Sequence, residues 1–159
     1  MLWSRFSTIA DRYEGARLNS PNDAAFHRNG DLYFTDPPYG MVKQFEDPAR
    51  EIPYQGVFRT HRNGSVGLLT RDMTRPNGLG FSPDEKTLYV SDDSIGVVWA
   101  YPILADDTLG TRKRLGRGTD GIGVDELGNV WATMSDARVV VTDPRGIEIG
   151  VVDFACGDA

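Results

Sequence analysis

The chain has 159 residues, 40% of them hydrophobic and 25% charged, with a net charge of −6. Those proportions suit one globular domain with a sizeable core, and the acidic balance excludes a general nucleic-acid or anionic-membrane binder, which needs a basic surface. The single cysteine, Cys156, excludes an internal disulfide, reads as a small apolar residue near the chain end and points to a cytoplasmic setting. No run is long enough to span a bilayer. The first fifteen residues lack the charged-then-apolar order of a signal peptide.

In chain order, residues 6–10 are β-compatible and predict a leading strand, followed by a polar connection over 11–17. Residues 18–36 read as two short strands around an Asn29-Gly30 turn, a favoured hairpin dipeptide. From 37 to 55 the prolines Pro37, Pro38, Pro48 and Pro53 interrupt every periodicity. A loop of that length in a compact domain is more often functional than neutral. Strand-like text resumes at 56–60, turns at Asn63-Gly64 and continues over 65–70. A second hairpin covers 78–91, with Ser82-Pro83-Asp84-Glu85 as its turn, followed by strands at 96–103 and 110–115. A third covers 121–134, with strands at 138–142 and 147–152 after it. No stretch carries a helical apolar stripe, so helix content is predicted to be very low.

Three segments share one grammar: SPNDAAFHRNGDLYFTD, RPNGLGFSPDEKTLYVSD and GTDGIGVDELGNVWATM. Each opens a group of four short strands, over 18–70, 75–116 and 118–153. With the 37–55 loop removed, the openings recur every 40 to 50 residues or so, the period of a β-propeller blade. The predicted fold is therefore all-β, a β-propeller of which this chain supplies about three blades plus a leading strand. A sandwich of twelve short strands is the alternative, but it predicts no regularity in which strand carries the motif. An open arc of three blades leaves edges exposed. A piece of a longer protein is the first expectation, and self-association through those edges the second.

The first strand of a propeller blade lines the central channel, so Asn22, Asn77 and Asp120 are expected to converge at one channel mouth. Amide and carboxylate oxygens suit a hard divalent cation, calcium or magnesium, better than zinc. The competing role for such residues is to satisfy backbone groups in the turn. Asp36 and Asp92 close the second strands of their groups and are expected to cap turns. His27 and His61 have no partner at zinc-ligand spacing and are expected to be solvated. No G-x-S-x-G elbow or phosphate-binding glycine motif occurs.

On these motifs, and on VVVTDPRGIEIG after them, the sequence resembles the gluconolactonase branch of the SMP-30/gluconolactonase/regucalcin-like family over nearly its whole length. The resemblance implies a six-bladed propeller with one divalent cation at the channel mouth, calcium first, with magnesium, zinc or manganese as alternatives. It implies a metal-dependent hydrolase that opens a small sugar lactone such as gluconolactone, or in some relatives an organophosphate. By motif, Asn77 and Asp120 match metal ligands, Asn22 a metal or substrate ligand, and Asp23 the residue behind it on the substrate side. Asp120 is the implied base for the attacking water, and 37–55 the implied lid. The family's first-blade glutamate, in an E-G-P-type motif, and its last-blade FGG-type text have no counterpart here, and Glu14 is not that glutamate. The resemblance therefore also implies a weakened cation site, with a non-catalytic binding or assembly module as the rival reading.

Overall fold

The computed structural model describes residues 7–154. Cys156 and Phe6 lie outside them. Strands β1 (Arg12–Tyr13) and β2 (Ala16–Arg17) form a small hairpin. Twelve further strands follow among the described residues: β3 (Ala24–Phe26), β4 (Leu32–Asp36), β5 (Gly56–Thr60), β6 (Val66–Thr70), β7 (Pro76–Phe81), β8 (Thr87–Asp92), β9 (Val97–Pro102), β10 (Lys113–Arg117), β11 (Ile122–Val124), β12 (Val130–Thr133), β13 (Arg138–Thr142) and β14 (Glu148–Asp153). They make three antiparallel sheets of four strands, each paired in sequence order: β3 to β6, β7 to β10 and β11 to β14. The helical content of the described residues is one 3-10 turn, Gln44–Glu46.

Three expectations need correcting. The leading strand does not form over 7–10, the described part of its span. The supposed polar connection instead holds the β1–β2 hairpin, because Glu14 and Gly15 both take positive φ, 50° and 85°. Two left-handed residues in succession match the twist of an antiparallel pair and close it in two residues. Strand β10 also starts three residues late, after an isolated bridge between Ile103 and Leu109, and carries a bulge between Arg114 and Gly116.

The sheets stand in a row because the middle one is apolar on both faces. On β8, Leu88 and Val90 pack with Tyr33, Val57, Met73, Leu79 and Tyr101 toward the first sheet. Tyr89, between them, faces the other way, with Val98, Leu115, Val130 and Ala132 toward the third. That period-2 alternation makes one strand serve two cores. The outer side of the first sheet, through Phe34 and Phe58, is covered by Leu18 and Ile52 with Tyr13 and Ala16 of the hairpin. The outer side of the third sheet leaves Trp131 and Val152 exposed.

The first strands lie together in this row. Strand β7 touches β3 and β4 on one side and β11 on the other. At Gly78 the approach is so close that a Cβ would stand 2.8 Å from both Gly121 Cα and Ile122 N. No helix of the described residues is long and apolar enough to cross a membrane.

Candidate functional site

The three opening residues reach one place. Asn22, Asn77 and Asp120, each from a different sheet, line an open cleft of about 360 Å³ with Tyr39, Asp93, Thr119, Met134 and Ser135. Asn77 is buried, whereas Asn22 and Asp120 are exposed to the cleft. A second cavity, about 440 Å³, lies on the far side of Asn22 and Asp23 against Ile9, Leu32 and Phe34. Its lining is mostly apolar, and its one carboxylate, Asp23, has both oxygens engaged by backbone N–H groups, so the first cleft is the stronger candidate.

Backbone pairing accounts for the opening residues without their side chains. Asn22 N donates to Thr35 O at 2.9 Å, and Asp120 N to Thr133 O at 3.3 Å. The side chains of Asn22 and Asp120 make no hydrogen bond to protein among the described residues. The turn-satisfying work falls to their neighbours. Asp23 accepts from Ala24 N at 2.9 Å through one oxygen and from Leu79 N at 2.9 Å through the other. Because β7 is the edge of its sheet, its outward N–H groups need acceptors. Asp23 supplies one and thereby stitches the first sheet to the second. Ser91 makes the matching stitch on the other side, donating to Asp120 O at 2.8 Å and to Gly78 O at 3.3 Å. Replacing Asp23 with alanine leaves the Leu79 N–H unpaired and is expected to cost about 1 to 3 kcal/mol in urea unfolding; an unchanged midpoint would remove the stitch.

Asp92 caps the turn after it and also reaches back in the chain, whereas Asp36 reaches only back and caps no following turn among the described residues. Asp36 receives Asn19 N at 2.8 Å and Ser20 N at 2.7 Å. Asp92 receives Arg75 N at 3.2 Å and the Ser94 hydroxyl at 2.6 Å. Burial pushes the Asp36 carboxyl up from the usual 3.8 to about 6, outweighing those hydrogen bonds. The histidines are not merely solvated. His27 packs between Tyr33 and Phe81 with Nε2 3.3 Å from Glu85, and His61 Nδ1 lies 3.2 Å from Asp31.

Sequence reading missed Tyr39 and Asp93. The Tyr39 hydroxyl donates to Asp93 Oδ2 at 3.1 Å, and Asn77 Nδ2 donates to that hydroxyl at 3.4 Å. Burial first, then the Asp93 charge, raise the Tyr39 pKa well above its ordinary value, so the phenol stays protonated. The one available signal was the doubled acid Asp92-Asp93 at the end of β8, where β4 ends in Asp36-Pro37.

The donor set has the chemistry of a hard cation site: two amide oxygens, one carboxylate and a second carboxylate, Asp93, on the same cleft wall. No group of three or more His, Cys, Asp or Glu that could hold a metal occurs among the described residues, and half of the donor side chains gathered here are amides. Charge is the scarce element in this donor set.

Comparison with known proteins gives the chain a family. Residues 3–158 match the SMP-30/Gluconolactonase/LRE-like region. The chain belongs to that family. Among family members of known activity, the gluconolactonase of Zymomonas mobilis is 37% identical over 161 residues, covering 92% of this chain and 45% of that protein. The 6-deoxy-6-sulfogluconolactonase of Pseudomonas putida is 36% identical over 98 residues, or 57% of this chain and 34% of that protein. A solved gluconolactonase structure from Xanthomonas campestris superposes with a TM-score of 0.79 at 36% identity, covering 91% of this chain and 50% of that one. The match thus spans between about a third and a half of the length of these relatives. A regucalcin from Agrobacterium tumefaciens, described as calcium-binding, shares the fold at TM-score 0.66 and 24% identity.

Proposed function

We propose that this chain carries three of the six blades of a sugar lactonase and most of its site, with Asn22, Asn77 and Asp120 holding one divalent cation, calcium first. What supports the reading is that oxygen-bearing side chains at or just before the first strands of three sheets line one cleft, in a family whose relatives include gluconolactonases. A cation bound to those oxygens supplies Lewis-acid polarisation of the lactone carbonyl and stabilises negative charge on its oxygen. The water oxygen bonds to the carbonyl carbon while the exposed Asp120 carboxylate, which has no hydrogen-bond partner among the described residues, takes its proton. The ring ester C–O bond then breaks and that proton passes from Asp120 to the ring oxygen. The ring oxygen leaves as a hydroxyl. Asn22, at the cleft rim, binds the sugar hydroxyls. Asp23, next in the chain, has both carboxylate oxygens engaged by the Ala24 and Leu79 N–H groups and so fixes the backbone beside Asn22 against the second sheet.

The test has two parts. Calorimetric titration with calcium is expected to show one weak site, Kd of about 10⁻⁴ to 10⁻³ M, as fits a site of few charges. Asp120→Asn should abolish it. Proton release from glucono-lactone should fall on chelation and drop about a hundredfold in Asp120→Asn. Lactone opening that ignores both chelator and substitution would sink the reading. A second reading, a binding module, is favoured by the exposed Trp131 and Val152 on the third sheet; it predicts calcium-independent association and no lactone opening.

A further inference from the structure

Asn77 is the buried member of the three candidate ligands, and an amide is a ligand only from one of its two ends. Resting on the cation reading above, we infer that Tyr39 and Asp93 are positioning residues that fix the Asn77 amide with its oxygen turned into the cleft.

The argument is one of hydrogen-bond directions. A carboxylate only accepts, so the Tyr39 hydroxyl, 3.1 Å from Asp93 Oδ2, spends its single proton there. Toward Asn77 it can then only accept. Of the two amide atoms only Nδ2 donates, and Nδ2 is the atom facing Tyr39, at 3.4 Å. The Oδ1 end is left to the cleft shared with Asn22 and Asp120. The flipped amide would set Oδ1 against a hydroxyl oxygen with no proton to give and aim two N–H donors at the cation. Asp93 thus excludes the wrong orientation through Tyr39, without touching the amide itself.

Both members of the relay are held by elements other than the site. Tyr39 stands at the start of the 37–55 loop, which is tied down rather than free. Ser20 Oγ donates to Pro37 O at 2.5 Å and accepts from Gly40 N at 2.9 Å. Arg50 Nη1 donates to Phe45 O at 2.6 Å. Arg75 donates to Gln44 at 3.1 Å, with its guanidinium carbon 5.9 Å from the Tyr39 ring centre and 5.1 Å from that of Phe45. Asp93 N donates to Arg75 O at 3.0 Å, which fixes the residue directly after β8. The first sheet offers no counterpart, because the residue after β4 is Pro37.

Two measurements test this. The first uses cation-free protein and the side-chain amide resonances of Asn77, assigned by their loss in Asn77→Asp. Tyr39→Phe is expected to shift them and remove their protection from exchange; unchanged resonances overturn the proposal. The second compares calcium affinity in pairs. Tyr39→Phe should weaken it about tenfold in the parent, the scale of lost ligand-orienting contacts. In an Asn77→Asp background, where both ends of the side chain are oxygen, the same change should cost less than twofold. Equal losses in both backgrounds, with unaltered melting curves, would make Tyr39 a direct ligand or a structural residue and sink the idea. Should the amide resonances respond as expected while the parent binds no calcium, the positioning role stands and the cation reading falls.

Discussion

Gly78→Ala is expected to destabilise the protein by about 3 kcal/mol or more, at the top of the range for overpacking. The added methyl would collide with the Asp120 carbonyl oxygen and sit 2.8 Å from Gly121 Cα and Ile122 N. All three are backbone atoms, so no rotamer change relieves the clash. The second and third sheets must separate, and with them go the Ser91 stitch to Asp120 and the shared cleft. For a domain whose whole stability is of order 5 to 15 kcal/mol, that leaves little margin. Gly123→Ala, one strand position further along, is the control, because a Cβ there meets nothing within 4 Å. Urea midpoints at constant slope would measure both. Equal midpoints would show that the close approach of β7 and β11 carries no energetic weight.

The second large effect is a pH dependence centred on Asp36. Its side chain is fully buried, and its pKa of about 6 stands above the usual 3.8. A folded state that holds a proton which the unfolded chain has released loses stability as pH rises. The contribution of protonated Asp36 is therefore complete below about pH 4 and is lost progressively up to pH 6, a total of about 3 kcal/mol. Carboxylates such as Asp125 and Asp143, held below the usual value by hydrogen bonds, pull in the opposite direction at lower pH. The Asp36 term is isolated by following its own carboxyl carbon resonance. A midpoint near 6 is expected; one below 4 would show that the backbone N–H groups of Asn19 and Ser20 dominate over burial.

The all-β class and the order of the hairpins were legible because each rests on local chemistry. Leu88-Tyr89-Val90 alternates with the period of a strand, and Asn29-Gly30 supplies the left-handed residue its turn needs, with Gly30 at a φ of 90°. The gathering of Asn22, Asn77 and Asp120 on one cleft could be expected because all three sit at the same register of a repeat. Tyr39 could not be found this way. It comes from a stretch without periodicity and reaches Asn77 only through tertiary packing of Arg75, Phe45 and Ser20 around the loop. The β1–β2 hairpin was missed for a different reason. Its strands are two residues long and polar, so the Glu14-Gly15 turn was its one signal. Asp23 carries a third lesson: sequence register puts it beside the site, while its hydrogen bonds make it a fastening between sheets.

The sheets stand in a row in which the middle one alone has another four-stranded sheet packed on both faces. Protection against local opening should follow that order, deepest around Leu88 and Val90 and shallowest toward β14. Each candidate ligand belongs to a different sheet. A transient swing of either outer sheet would therefore dismantle the cleft while most of the backbone stays folded. The working lifetime of the site is set by two sheet-to-sheet seams, fastened at Asp23 and Ser91, rather than by the stability of the whole chain.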